Sequence, residues 1–294
     1  MDVETLWNEF LSTIKESVSS LSYETWFRDT KLVSLRSNNA IIIVPMPVHQ
    51  KHLVENYKDI IEEKLNSLTG SNFTCEFLLE DEWEARKNDF SNEESIIKKD
   101  LPEVKEIKTN FQDIDDANLN KEYTFDSFIV GSSNRFAFTA SMAVAEKPGK
   151  AYNPLFLYGK SGLGKTHLMH SIGNYILENT DLKVLYISSD KFVNDFINAV
   201  RSDDKDNFNK IDGFKSKYRN IDVLMIDDIQ FLGNATKGQE EFFHTFNELY
   251  NENKQIIIAS DRSVDDLKML ENRLLTRFNW GLTANITPPD FDLR

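Results

Sequence analysis

A glycine-rich turn of the form G-x-x-x-x-G-K-T lies between an apolar run and a helical pattern. Its glycines would let successive backbone N–H groups surround an anion, and the following helix adds its positive end. Lys165 can reach the β- and γ-phosphates of a nucleotide, and the Thr166 hydroxyl can join a Mg²⁺ ion. A chance glycine-rich turn would not need a strand before it and a helix after it. The sequence therefore predicts a nucleoside triphosphate site for ATP or ADP, formed by Gly159, Gly162, Leu163, Gly164, Lys165, Thr166 and His167.

Two adjacent acids, Asp227 and Asp228, end a second apolar run. Beside a phosphate loop, Asp227 would hold Mg²⁺, and Asp228 would orient or deprotonate the attacking water. An acid pair after a strand also caps helices or turns, but the neighbouring phosphate loop favours catalysis. Many ATPases of this type have glutamate at the second place. Aspartate is shorter by about one C–C bond, and a misplacement of about 1 Å can cost a hundredfold in rate. We expect slow hydrolysis, suited to a switch.

Polar and cationic residues follow the next apolar run. Asp261 lies where the γ-phosphate of such a site would be, so it is a candidate sensor; a helix cap before Val264 is the alternative, and both roles are compatible. Arg273 and Arg277 are four residues apart and share a helix face. A guanidinium supplied by a neighbouring subunit can stabilise charge on a transferring phosphoryl group. A surface salt-bridge face is the alternative for this pair.

The composition limits the partners of the chain. It has 294 residues, a net charge of −14 and one cysteine, Cys75. The acidic balance argues against DNA binding by bulk electrostatics, so any nucleic-acid contact must be local. A single cysteine leaves no disulfide frame or cysteine zinc site, which fits a reducing cytoplasm. The sequence has neither an apolar run of about 18 residues, as a membrane span requires, nor a signal peptide.

The patterns predict two domains and a linker. Residues 1–82 form a small α/β module, 83–121 a flexible charged linker with too little apolar surface to fold, and 122–294 the nucleotide-binding core. The module's predicted elements are a helix over 2–18, strands Lys31–Arg36 and Ala40–Val44, a helix from Pro47 to Leu65 ended by Gly70, and a strand Phe73–Leu79. Trp7 lies on the apolar stripe of the first helix, either in the core or on a docking surface.

In the core, apolar strands alternate with helical patterns centred on Met169, Phe196 and Phe243. This alternation predicts a parallel sheet covered by helices on both faces. The predicted strands are Pro154–Tyr158, Lys183–Ser188, Ile221–Asp227 and Gln255–Ser260.

Five runs in the core are distinctive: YTFDSFIVG from Tyr123, NPLFLYG from Asn153, IDDIQFL from Ile226, QEEFFHTFN from Gln239 and RLLTRFNWGL from Arg273. With these runs the core resembles the bacterial chromosomal replication initiators of the DnaA family, which are AAA+ ATPases. Leu6-Trp7 and the run YETWF from Tyr23 are similar to that family's first, KH-like domain.

The resemblance implies that ATP-loaded protomers assemble head to tail on the replication origin, bind one DNA strand, melt the duplex and recruit the replicative helicase. Arg277 would be the finger that reaches a neighbour's ATP, with Arg273 beside it. Ile129 and Val130 would lie near the adenine. Ile197 and Val200, on a helix over Lys191–Arg201, would face single-stranded DNA, although periodicity alone favours core packing. The resemblance also places Lys237 at a DNA-contacting position, while Ala235 replaces a second basic residue.

The resemblance further implies that residues 1–82 mediate self-association and bind the helicase and initiation regulators. Acidic phospholipids are partners by resemblance only, and the expected location is the cytoplasm, at the nucleoid. The family continues past Pro288-Pro289 into a helical lid and a basic helix-turn-helix domain, so we expect this chain to lack the part that reads duplex boxes. The alternatives are an AAA+ helicase loader, a regulatory initiator homologue, or a non-catalytic fragment that sequesters its partners.

Overall fold

The computed structural model of the protein describes residues 3–36, 38–86, 117–200 and 207–289. The chain divides into two compact units, Met1–Ile107 and Lys108–Arg294. Most of the linker predicted over 83–121 lies outside the described residues. In the described ranges no helix is long and apolar enough to cross a membrane.

The first unit is a three-stranded sheet covered by helices. Its elements are α1 (Val3–Lys15), helical turns Ser20–Ser22 and Tyr23–Phe27, β1 (Lys31–Arg36), β2 (Asn39–Ile43), α2 (Pro47–Asn56), α3 (Lys58–Thr69), β3 (Thr74–Leu78) and α4 (Glu80–Arg86). The strand order is β1-β2-β3, with β1 and β2 antiparallel and β2 and β3 parallel.

Two details of this unit differ from the sequence prediction. The single helix predicted from Pro47 to Leu65 is two helices, because Tyr57 leaves the helical conformation (φ −125°, ψ −7°). The Tyr57 ring packs edge-on against Phe27, with centroids 5.1 Å apart. Helix α4 runs from Glu80 to Arg86, across the predicted boundary at residue 82.

Trp7 belongs to the core of the first unit. Its side chain is buried, and its ring stacks on Phe10 at a centroid distance of 4.5 Å. The indole Nε1–H donates to the carbonyl of Thr30 at 3.0 Å. A buried indole with a satisfied N–H is a packing residue, so the core interpretation is correct and the docking interpretation is wrong.

The second unit contains a five-stranded sheet with helices around it. Its elements are α5 (Arg135–Glu146), β4 (Leu155–Tyr158), α6 (Lys165–Asn179), β5 (Val184–Ser188), α7 (Ser189–Val200), α8 (Asn207–Arg219), β6 (Val223–Asp227), a 3-10 helix (Ile229–Asn234), α9 (Thr236–Asn251), β7 (Gln255–Ser260), a 3-10 turn (Val264–Asp266), α10 (Asn272–Phe278) and β8 (Leu282–Asn285). The sheet is wholly parallel, with the strand order β5-β6-β7-β4-β8. The predicted α/β fold class is confirmed.

The sequence prediction omits α5, α8 and β8 and starts this unit too late. Ala117 is already fully buried. The side-chain amide of Asn118 donates to the carbonyl of Tyr186 at 3.1 Å, and the Asn120 N–H donates to His170 Nδ1 at 3.0 Å. Residues 117–121 are therefore part of the folded core, since Asn118 and Asn120 are hydrogen-bonded to β5 and α6.

Candidate nucleotide-binding site

The glycine-rich turn leads from β4 into α6 at the carboxyl edge of the sheet. Gly162 (φ 79°) and Gly164 (φ 97°) have left-handed backbones, which glycine adopts without strain. A Cβ atom at Gly164 would lie 2.8 Å from Cε2 of Phe128, whereas one at Gly162 would meet nothing within 4 Å. The turn is therefore packed on one side and open over Gly162, which is the shape that an anion-binding loop needs.

Lys165 supports the turn from inside. Its side chain is only 7% exposed. The ammonium donates to the carbonyls of Gly159 at 2.7 Å and Lys160 at 3.1 Å. Within the described ranges it forms no ion pair with a carboxylate, so its charge is available to an incoming phosphate.

Thr166 and Asp227 meet, as the sequence predicts for two groups around one Mg²⁺. Thr166 Oγ1 donates to Asp227 Oδ2 at 2.7 Å. Tyr186 donates its hydroxyl to the same oxygen at 2.8 Å, and Asp227 Oδ1 accepts the backbone N–H of Asp228 at 2.8 Å. Burial, with the adjacent Asp227 carboxylate, raises the pKa of Tyr186, so the phenol remains a donor. These three bonds orient a carboxylate that is only 5% exposed.

Asp228 has a left-handed backbone (φ 53°, ψ 49°) at the start of the 3-10 helix. Its side chain does not cap that helix. Instead its Oδ1 accepts from Gln230 Nε2 at 2.9 Å, and the carbonyl of Asp228 accepts from Ser189 Oγ at 2.6 Å. The cap alternative is thus wrong for Asp228, because the carboxylate is held beside the sheet edge by an amide.

Asp261 follows the tip of β7, and its N–H donates to Gln230 Oε1 at 3.3 Å. The amide of Gln230 therefore links Asp228 to Asp261. The carboxylate of Asp261 takes two bonds from the Arg262 guanidinium, at 2.7 and 2.8 Å, and this partner lowers the pKa of Asp261. The N-cap position before Val264 is occupied by Ser263, so Asp261 does not cap that turn.

Arg273 and Arg277 lie together around one ring, away from these contacts. Their Cζ atoms are 4.3 and 4.4 Å from the centroid of Phe243. Arg273 pairs with Glu271 through an Nε–Oε2 contact of 2.5 Å. Arg277 donates from Nε to Asn247 Oδ1 at 2.8 Å and, among the described residues, pairs with no carboxylate. The salt-bridge interpretation thus fits Arg273 and does not fit Arg277.

The loop with Ile129 and Val130 lies beside the glycine turn, because Phe128 packs against Gly164. Ile129 is 74% exposed and Val130 is also exposed. Asn134 fixes this loop by accepting from Gly131 N–H at 2.8 Å and donating to the carbonyl of Ile129 at 3.0 Å. Two exposed apolar side chains on a fixed loop beside a phosphate site are suited to contact a flat base.

The ring of His167 is used to hold a neighbouring segment. It stacks on Tyr123 at 4.7 Å, and its Nε2 lies 2.9 Å from the carbonyl of Thr124. The predicted contact between His167 and a nucleotide would therefore use the backbone N–H of His167 rather than its ring. This N–H lies in the first turn of α6.

The predicted DNA-facing side chains lie on the surface. Val200 is 41% exposed, Ile197 is half-buried, and Lys237 is exposed in the first turn of α9. On α7 the fully buried large side chain is Phe192. The core-packing alternative is thus wrong for Val200.

Helix α7 is held against α8 by aromatic packing of Phe192 on Phe214 and by one carboxylate. Asp195 accepts from Lys217 Nζ at 2.6 Å and from the Tyr218 hydroxyl at 2.7 Å. Burial alone would raise the pKa of Asp195, but these two donors and the nearby lysines lower it. The exposed residues of α7 are therefore presented from a fixed helix.

Sequence reasoning missed Tyr186 and Gln230. Each makes a hydrogen bond to a residue more than 30 positions away in the sequence, Tyr186 to Asp227 and Gln230 to Asp261. Gln230 lies in the run IDDIQFL, but the spacing of that run does not indicate this contact. The strand register brings the first of them into place, since Tyr186 pairs with Met225 two residues before Asp227. Residues two apart on a strand share a face.

The donor set fits a nucleotide with Mg²⁺ and does not fit a protein-only metal cage. In the described ranges no three His, Cys, Asp or Glu side chains cluster as metal ligands. One hydroxyl and one carboxylate, from Thr166 and Asp227, are the kind of set that Mg²⁺ uses when phosphates and waters complete its shell.

A parallel sheet with a glycine turn after one strand and an acidic pair at the tip of another defines a P-loop ATPase of the AAA+ class. The model of the bacterial DnaA ATPase domain family matches residues 119–285, and that of the DnaA N-terminal domain matches residues 4–67. The chain belongs to the DnaA family of replication initiators.

Solved structures agree with this assignment. Domain III of the Thermotoga maritima replication initiation protein DnaA is 49% identical, with a TM-score of 0.56 over 60% of this chain and 71% of that one. AMPPCP-bound DnaA from Aquifex aeolicus is 39% identical, with a TM-score of 0.53 over 57% of this chain and 51% of that one. A replication initiator DnaA bound to AMPPCP and single-stranded DNA is also 39% identical, with a TM-score of 0.53 over 57% of this chain and 50% of that one. The chain thus spans about half the length of the latter two.

Proposed function

We propose that this protein is an ATP-controlled replication initiator whose nucleotide state governs its assembly on origin DNA. The observation that carries the proposal is the 2.7 Å contact between Thr166 and Asp227 at the end of an open glycine turn. The hydroxyl and the carboxylate come from α6 and β6, so only the fold brings them together. A purely structural glycine turn would not need this pair.

In the proposed complex, the N–H groups from Gly162 to Thr166 surround the phosphates, and Lys165 exchanges a carbonyl partner for a phosphate oxygen. Thr166 and Asp227 would hold Mg²⁺, which neutralises phosphate charge when bound. Ile129 and Val130 would contact the adenine. Each role follows the contacts of the residue concerned and the family to which the chain belongs.

For hydrolysis, Asp228 is the proposed base. Its carboxylate would take a proton from water as the water oxygen bonds to the γ-phosphorus and the bond to the β-phosphate oxygen breaks, giving ADP and inorganic phosphate. The short side chain, held by Gln230, supports slow turnover. Asp261 would sense the γ-phosphate. A turnover of many ATP per second by the assembled protein would contradict this assignment.

Assembly and DNA binding complete the proposal. Arg277 would reach the ATP of the next protomer, because it is the arginine of the pair that no carboxylate of the described residues neutralises. Ile197, Val200 and Lys237 would contact one strand of melted origin DNA. Residues 1–82 would bind the replicative helicase and regulators. Duplex melting, helicase recruitment and contact with acidic phospholipids are proposed from family membership.

Titration calorimetry with ATP and Mg²⁺ tests the nucleotide step. We expect the chain to bind, and Lys165→Ala to lose at least tenfold in affinity, since a charge-assisted phosphate contact is worth about 1.5–3 kcal/mol. Lys160→Ala is the matched control, because the Lys160 side chain is exposed and only its carbonyl contacts Lys165. Equal affinities of all three proteins would refute the proposed site.

A further inference from the structure

The guanidinium of Arg277 lies between two aromatic rings. Its Cζ atom is 4.4 Å from the centroid of Phe243 and 4.8 Å from that of Trp280. Its Nε–H donates to Asn247 Oδ1 at 2.8 Å. Two side chains of α9 and one that follows α10 therefore fix both the position and the rotation of one cationic group.

The contacts that hold Arg277 leave its two terminal nitrogens, Nη1 and Nη2, available to a ligand. A guanidinium carries five N–H donors in a planar fork. Nε is used by Asn247, and Nη1 makes a long contact of 3.4 Å with the carbonyl of Arg273. In the part of the chain that the structure describes, Nη2 has no hydrogen-bond partner. The two terminal nitrogens can therefore donate together to phosphate oxygens, the geometry that a guanidinium matches well.

No carboxylate of the described residues neutralises the positive charge of Arg277, although the chain as a whole is acidic. The neighbouring Arg273 is neutralised by Glu271 at 2.5 Å, whereas Arg277 has aromatic faces and an amide around it. Aromatic rings attract a cation without cancelling its net charge. Trp280 is 48% exposed, so this cation lies at the surface, where another molecule can reach it.

We propose that Trp280, Phe243 and Asn247 are positioning residues that hold Arg277 ready for the triphosphate bound by a second copy of this chain. This inference rests on the proposed function, in which Arg277 acts on a neighbour's nucleotide. A free arginine side chain loses rotamer freedom when it is fixed at an interface, and a side chain that is already fixed loses less. The rings and the amide therefore strengthen ATP-dependent assembly without touching the nucleotide.

Substitutions around the ring pair test this directly. Trp280→Ala removes one exposed cation–π contact, and we expect a roughly two- to fivefold higher protein concentration for half-maximal ATP-dependent assembly. Asn247→Ala removes a hydrogen bond to a charged group, which corresponds to a shift of about tenfold. Trp280→Phe keeps an aromatic face and should restore most of the loss. Nucleotide affinity should stay at the wild-type value in all three variants. The Tm of Trp280→Ala should fall slightly, because the ring contact between Trp280 and Tyr250 at 5.0 Å is also lost.

Met269→Ala is the matched control for the loss of an exposed apolar side chain. Met269 is largely exposed, and no contact with Arg277 involves it. Assembly is measured by sedimentation of the full chain with ATP and Mg²⁺. If Met269→Ala weakened assembly as much as Trp280→Ala, exposed apolar area rather than the position of Arg277 would govern assembly, and the inference would be overturned.

Mixing experiments separate a role in the neighbour's site from misfolding. Asp228→Asn protein should be unable to hydrolyse ATP but should still supply an intact Arg277. Added to Trp280→Ala protein at a fixed total concentration, it should restore hydrolysis at the Trp280→Ala nucleotide sites, as it should for Arg277→Ala. A defect within the variant's own site would not be restored by a partner.

The outcomes separate the finger role of Arg277 from the positioning role of the residues around it. If Arg277→Ala assembles and hydrolyses normally, the proposed finger role is wrong. If Arg277→Ala is defective and restored by mixing while Trp280→Ala and Asn247→Ala behave as wild type, the finger role stands and the positioning inference fails. Defects in the latter two variants that mixing does not restore would also overturn it.

Discussion

Tyr186→Phe removes one oxygen atom from the hydrogen bonds around Asp227. Asp227 Oδ2 accepts from Tyr186 at 2.8 Å and from Thr166 at 2.7 Å. Since Asp227 is only 5% exposed, water does not readily replace the lost donor. A hydrogen bond to a charged group contributes about 1.5–3 kcal/mol. At 2–4 °C per kcal/mol for a unit of this size, we expect Tm to fall by roughly 3–12 °C.

A double-mutant cycle with Asp227→Asn assigns this loss to one pair of atoms. Calorimetry of the full chain would follow the same unfolding transition in the wild type, both single variants and the double variant. In the Asp227→Asn background the hydroxyl faces a neutral amide, so Tyr186→Phe should cost only about 0.5–1.5 kcal/mol. The coupling free energy should therefore be about 1 kcal/mol or more.

Tyr158→Phe is the matched control. Its hydroxyl has no hydrogen-bond partner among the described residues, so its removal should leave Tm nearly unchanged. The reasoning is refuted if Tyr186→Phe behaves like Tyr158→Phe. It is also refuted if Tyr186→Phe costs the same with aspartate or asparagine at position 227, because the hydroxyl would then act elsewhere.

Three further predictions use single sites. Gln230→Met removes both hydrogen bonds of the amide, so the kcat for ATP hydrolysis should fall while the Kd for ATP stays unchanged; a fall in affinity would contradict this. Burial, opposed by Asp227, lowers the pKa of His170, whose neutral Nδ1 accepts from Asn120. The unfolded chain takes up that proton near pH 6.5, so stability should fall as pH drops below about 6.5, and His170→Gln should flatten this dependence in thermal scans. Burial raises the pKa of the Cys75 thiol to about 12, so a thiol reagent at pH 8 should label it only as fast as the first unit opens, and at once in urea.

The strands were predictable where their residues are apolar and flanked by turn signals. Lys31–Arg36 and Gln255–Ser260 match the predicted bounds. Helix α5 has no amphipathic pattern in its sequence, because all its residues from Ala137 to Ala145 are buried. A helix without a polar face lacks the apolar–polar period from which a surface helix is predicted. Strand β8 is a four-residue edge strand with only Ala284 buried.

The site was predictable only where its chemistry is contiguous in sequence. The glycine turn and the acid pair are short motifs with fixed spacing, so their residue types alone indicated a phosphate site. Tyr186 and Gln230 contribute through strand register and across neighbouring strands, which no local pattern encodes. The sequence likewise does not show which of the two arginines forms an ion pair with Glu271, because Glu271 is close to both Arg273 and Arg277 in sequence. Only the fold shows that Arg273 is the partner.

The contacts of Lys165 explain why the turn is shaped before a ligand arrives. Its ammonium already holds the carbonyls of Gly159 and Lys160 at 2.7 and 3.1 Å, so the loop does not need to be ordered on binding. Carbonyl dipoles only partly offset a buried positive charge, and the described ranges offer Lys165 no ion pair. In a chain with a net charge of −14, this buried cation favours an anion at the glycine turn. The ammonium of Lys165 and the amides of the glycine turn are therefore already arranged for a phosphate group before it binds.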